Sequence, residues 1–171
     1  MSGGAPASGL CLTTAPLTAS SFAAFGDVIE TEGRAHYPIN AGTAQRYNDL
    51  ARVEVTASGG RPLISILLAE PVAPPLRLRL MERHPLSSQA FIPLSSTPFL
   101  IVVAPPGVLD VERIRAFRSN GSQGINYRTG TWHHPLLALE RRSGFLIVDR
   151  GGEGGNCDEI SVEDRNIVVT L

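Results

Sequence analysis

The run Asn126-Tyr-Arg-Thr-Gly-Thr-Trp-His-His-Pro135 carries the lone tryptophan, Trp132, two of the four histidines, His133 and His134, and a glycine, Gly130, able to turn the chain sharply. A polar, glycine-bearing run, Ser119-Asn-Gly-Ser-Gln-Gly124, precedes it and apolar strand-like sequence follows. Upstream, Glu82-Arg-His-Pro-Leu-Ser-Ser-Gln89 answers it, so that E-R-H-P-L and W-H-H-P-L share histidine, proline and leucine in the same order. The two stretches offer imidazole, carboxylate, amide and guanidinium groups at strand ends. Such a set suits a small polar ligand or a metal, and the rest of the chain reads as the barrel that joins them.

Outward from these stretches the texture is β. Phe99-Leu-Ile-Val-Val-Ala104 is apolar enough for a central strand, and Pro62 to Ala69 reads as a buried strand by its continuous apolar run. Leu76-Arg-Leu-Arg-Leu80 alternates strictly, the period of a strand with one wet face. Further strands are expected at Cys11–Leu17, Asp27–Glu30, within Arg46–Val55, at Ala90–Leu94, Val111–Arg118, Gly124–Tyr127, Leu136–Glu140, Phe145–Asp149 and Asn166–Leu171. One short helix is expected after Thr18, an N-cap, with Phe22 and Phe25 a turn apart and Gly26 as its stop. About ten short strands with turns between them and little helix predict an all-β barrel or sandwich.

The 171 residues fit one domain over residues 11–171, after a flexible Gly/Ala/Ser/Pro tail over residues 1–10. A net charge of −1 speaks against nucleic acid as a partner, which would need a concentrated basic face. All fifteen basic residues are arginine, which excludes a lysine Schiff base. Cys11 and Cys157, near opposite ends, are expected as free thiols. No apolar run reaches the roughly 20 residues of a membrane span, and the first residues lack the charged end and apolar centre of a signal peptide. A soluble cytoplasmic protein, without nucleic-acid or membrane partner, is the expectation.

Residues i and i+2 of a strand face one side. Glu82 and His84 therefore project together, with Arg83 opposite, and Pro85 bends the chain away. Gln89 opens the next strand, and of the adjacent His133 and His134 at most one faces inward. Glu82, His84, Gln89 and His133 make a mixed nitrogen and oxygen set for a divalent transition ion.

The order of these residues resembles the two motifs of the cupin superfamily, here Glu82-x-His84-x4-Gln89 and Gly124-x5-Gly130-x-x-His133. Glu82 stands where the family has its first histidine and Gln89 where it has a glutamate, so the set lends one neutral oxygen in place of a charge. The resemblance implies a cupin-like β-barrel of jelly-roll type with one or two short helices. The runs F-G-D-V-I-E (25–30), R-Y-N-D-L-A (46–51), E-R-H-P-L-x-x-Q-A-F-I-P (82–93), I-R-A-F (114–117), N-G-x-Q-G-x-N-Y (120–127), W-H-H-P-L (132–136) and D-R-G-G (149–152) are more specific. As a set they resemble the ureidoglycolate lyase family, from about residue 10 to the end.

That resemblance implies cleavage of (S)-ureidoglycolate to glyoxylate and urea, late in allantoin and purine breakdown, by a homodimer. The chemistry asks for a base at the hydroxyl, an acid at the leaving nitrogen and a cation at the carboxylate, and it requires no redox cofactor. His133 or His84 is the expected base, with Glu82 as orienting partner or acid. Arg46 and Arg128 are candidates for the carboxylate clamp, and Asn126 and Gln89 for the ureido group. A divalent metal, nickel first, is associated with some members of the family. Two other classes compete with this reading: another metal-dependent cupin enzyme, and a non-catalytic barrel that binds a small carboxylate.

Overall fold

A computed structural model describes residues 9–171; of the expected tail only Gly9 and Leu10 fall within it. In chain order the elements are β1 (Cys11–Thr13), β2 (Ala15–Pro16), α1 (Ala19–Phe22), β3 (Gly26–Ile29), β4 (Tyr37–Ile39), β5 (Ala44–Arg46), β6 (Arg61–Ala69), β7 (Leu76–Arg77) and β8 (Leu80–Arg83). There follow β9 (Gln89–Pro93), β10 (Phe99–Ala104), β11 (Arg115–Arg118), β12 (Gly124–Tyr127), β13 (Trp132–His133), β14 (Leu137–Ala138), β15 (Ser143–Gly151), β16 (Asp158–Ser161) and β17 (Val168–Thr170). Helix α1 is capped as the sequence predicts: the Thr18 side chain accepts from Ser21 N–H, and Ser21 answers at the Thr18 N–H.

Two sheets face each other across the molecule. One runs β16-β8-β13-β10-β11-β2, with β14 also on β10; the other runs β3-β12-β9-β15-β6. Phe99, Ile101 and Val103 of β10 meet Phe91, Ile125, Tyr127 and Phe145 of the opposite sheet in an inner core. Leu100, Val102 and Ala104 point the other way, into a second core closed by the small sheet β1-β17-β7. Burial on both faces is why β10 is apolar throughout. The result is an all-β, cupin-like barrel, and none of its described helices is long and apolar enough to cross a membrane.

Several expectations need correction. The strand at Pro62–Ala69 exists as β6, but it is the edge of its sheet and not buried: Ile64, Ile66 and Leu68 are 75%, 58% and 58% exposed. An apolar run fixes what a strand is made of, not what lies on each side of it. Only Ala44–Arg46 of the expected β region to Val55 is strand. Asp49 turns left-handed at φ 55°, and the following residues strap the outside of β3 and β12, with Arg52 N–H donating to Asp27 and Glu54 N–H to Ser88. Val111–Arg113 is a 3₁₀ turn, and the strand begins only at Arg115. The alternation over Leu76–Leu80 survives in burial, since Leu78 is buried while Arg77 and Arg79 are exposed, but β7 and β8 are separate strands.

Candidate active site

Strand β8 delivers Glu82 and β13 delivers His133, and the register sets them directly opposite each other. His84 follows just beyond β8, where Gly130 N–H donates to its carbonyl and ties the two motifs together. Donor atoms of Glu82, His84 and His133 all lie within 4.8 Å of one another. Gln89 joins from the facing sheet, its Oε1 3.1 Å from His84 Nε2. Four of the residues singled out from sequence thus come together between the sheets.

Their partners define their chemistry. His133 Nδ1 lies 2.9 Å from Thr131 O, and a carbonyl can only accept, so Nδ1 carries the hydrogen. Nε2 is then the ring nitrogen left to face Glu82. It is buried, it lies 3.3 Å from Glu82 Oε1, and it lacks hydrogen-bond geometry to any partner among the described residues. A carboxylate oxygen and an imidazole nitrogen at this distance hold a proton or a cation between them. Tyr127 stacks on the His133 ring at 4.2 Å and 15°, which holds the imidazole plane. His84 is held by Nδ1 donating to Asn156 O at 2.6 Å.

Burial raises the Glu82 pKa, but the His133 contact and the charges of His133, His84 and His134 outweigh it, and the carboxyl sits below its usual value of 4.5. Glu82 is therefore a carboxylate at neutral pH. Burial, aided by the Glu82 charge, pushes the Tyr127 hydroxyl far up. Burial also lowers His134, more than its bond to Pro135 O and the nearby Glu82 raise it. His134 points away from the pocket, as strand alternation requires. Arg83, likewise opposite, pairs with Asp158 at 2.8 Å and covers the Trp132 ring. Trp132 belongs to the second core.

Three expected substrate-binding residues are not brought to this site. Asn126 sits between Ile125 and Tyr127, which face inward, so it faces outward, where its amide donates to Asp27 and to Arg52 O. Arg128, two residues on, donates to Ala23 O and lines a separate outer cavity with Asp27, Arg52, Glu54 and Asn126. Arg46 is exposed on the β4–β5 hairpin. Alternation along β12 decides this: with Tyr127 facing the histidines, Asn126 and Arg128 fall on the opposite face.

The sequence reading also missed residues. Asn156 accepts from His84 through its carbonyl and from Leu86 N–H through its side chain, and it donates to Ser87, so it fixes the loop that carries the histidine. Cys157 and Glu159 stand on the open side of Glu82. Burial and the charges of Glu82, Glu159 and Asp158 keep the Cys157 thiol above its usual value. A cleft of about 770 Å³ between the Thr14–Ala19 segment and Gln123 holds none of this chemistry.

A carboxylate and paired imidazoles inside a cupin-like barrel are a set suited to the proton-transfer or metal-assisted chemistry of an enzyme. Residues 10–170 match the family described as Ureidoglycolate lyase. The ureidoglycolate lyase of Stutzerimonas stutzeri (strain A1501) is 54% identical over 160 residues, 92% of this chain and 94% of the relative. That of Pseudomonas entomophila (strain L48) is 55% identical over 155 residues, 90% and 93% of the two chains. That of Burkholderia cepacia is 56% identical over 148 residues, 86% and 84%. The chain belongs to the ureidoglycolate lyase family.

Proposed function

We propose that this protein cleaves (S)-ureidoglycolate to glyoxylate and urea, as the carbon–nitrogen lyase of allantoin and purine breakdown. The observation that carries the assignment of roles is the buried Nε2 of His133, 3.3 Å from the Glu82 carboxylate and without a hydrogen-bond partner among the described residues. His133 Nε2 takes the hydroxyl proton. The oxygen electrons form the carbonyl of glyoxylate, the C–N bond breaks, and the urea nitrogen accepts a proton. Glu82, ionised, steadies the imidazolium so formed and does not act as the acid. His84, fixed by Asn156, supplies the proton to the leaving nitrogen, and Gln89 orients it. Replacing His133 by Ala should abolish turnover above the spontaneous background, and unchanged turnover would sink the base assignment.

The close donor set of Glu82, His84 and His133, with Gln89 beside it, fits a divalent ion, nickel first. Such an ion supplies Lewis-acid polarisation of the substrate's hydroxyl or carboxylate oxygens. The Nε2 lone pair can hold an ion or take a proton, but not both at once. Metal content set against activity, before and after chelation, separates the two uses.

The exposed face of β6 supports a homodimer. Ile64, Ile66 and Leu68 share one side with Leu94, and a Cβ built on Gly144 would touch both Leu68 and Leu94, so the patch is continuous. The two exposed free cysteines, Cys11 and Cys157, suit a reducing, cytoplasmic setting.

A further inference from the structure

The facing sheet contributes to the site through one rung. Gln89 pairs with Tyr127, and the register Phe91↔Ile147 and Ala90↔Val148 places Asp149 on the other side of Gln89. Phe145 and Ile147 pack into the inner core, so Asp149, two residues further on, faces the same interior. Asp149, Gln89 and Tyr127 therefore form a row across the barrel from Glu82, His84 and His133. Gln89 reaches His84, and Tyr127 stacks on His133. The Oδ1 of Asp149 is buried and has no hydrogen-bond partner among the described residues. A buried acceptor left unpaired costs free energy, and it is an opening for a donor that the described residues do not supply.

We propose that Asp149 receives the ureido end of the substrate, its carboxylate accepting the N–H groups while the carbinol carbon lies toward His133 and Glu82. This rests on the lyase reading. The ureido group presents adjacent N–H donors, and a carboxylate is the side chain that accepts two such hydrogens in parallel. Glyoxylate has none. Asp149 thus distinguishes the two halves of the substrate: it holds the ureido half, which leaves as urea, and has nothing to grip on glyoxylate. It is a specificity-determining residue and takes no proton.

The test measures binding to the purified full-length protein by calorimetry, with two probes. Hydantoate (N-carbamoylglycine) keeps the ureido group and the carboxylate but lacks the hydroxyl needed for cleavage. Glyoxylate lacks the ureido group. Asp149→Asn should weaken hydantoate binding tenfold or more and leave glyoxylate binding within twofold, with KM for ureidoglycolate raised more than kcat is lowered. Asp149→Ser, which also removes the carboxylate, should show the same split, and retained glyoxylate binding reports an intact fold. Equal weakening of both probes, or hydantoate binding unchanged in either variant, would overturn the proposal. The split is read without turnover, so it stands or falls separately from the lyase reading, which urea release tests.

Discussion

Replacing Glu82 by Gln removes one negative charge at nearly constant volume. The carboxylate lies 3.3 Å from His133 Nε2, and the His133 ring is almost wholly buried. At an effective dielectric of about 20, a full charge pair at that distance is worth about 5 kcal/mol. On the proposed mechanism the full charge pair forms as His133 takes the substrate proton, so its stabilisation belongs to the transition state and appears in kcat. Glutamine keeps a carbonyl dipole toward the imidazolium. If that retains about half of the interaction, the loss is about 2.5 kcal/mol, or roughly 100-fold in kcat. The assay is initial-rate urea release at saturating substrate, with the spontaneous decay subtracted and the melting temperature recorded beside it. A Glu82→Gln protein that melts normally and keeps kcat within threefold of the parent would refute the argument, because the carboxylate would then steady nothing.

Acidification should destabilise the fold in two stages. Folded His134 sits below its usual 6.5, so the unfolded chain binds its proton first and stability begins to fall as pH drops below 6.5. Folded Glu82 sits below 4.5, so its contribution is present above 4.5 and is lost as pH falls through the lower folded value. A melting-temperature profile over pH shows both limbs, and His134→Gln should flatten the first. If the donor cluster binds a divalent ion, nickel at about 100 times its dissociation constant should add about 2.7 kcal/mol and raise the melting temperature by roughly 5–10 °C, and His84→Ala should remove the shift. If the exposed β6 face joins two copies, Ile66→Arg, which places a charge in its middle, should shift the sedimenting species from dimer to monomer; an unchanged profile would count against that interface. Phe99→Ala, at the centre of the inner core, should cost about 3–5 kcal/mol in denaturant unfolding.

Particular residues show how far the sequence could be read. Glu82 and His84 at i and i+2, with Arg83 between them, needed only strand alternation, and the structure agrees. The separation of His133 from His134 followed from the same rule. The rule sent Asn126 and Arg128 outward as well, but this becomes legible only once Tyr127 is known to face the histidines. The edge position of β6 was hidden because apolar composition says nothing about which strand lies alongside, and an exposed apolar face reads like a core strand. Asn156 carries no signal in its neighbourhood, and Asp149 stands in the run D-R-G-G with nothing nearby to give it a role. Their roles come from the β9–β15 register and from a loop that crosses back to His84, contacts between residues far apart in the chain.

The most direct test of the central claim supplies racemic ureidoglycolate to the purified protein and measures urea and glyoxylate together, before and after chelation, against the spontaneous decay. The account predicts urea and glyoxylate released in equal amounts above background, at half the supplied substrate when the reaction is complete, because only the (S) form is cleaved. Ammonia in place of urea, or no release above background, would contradict it.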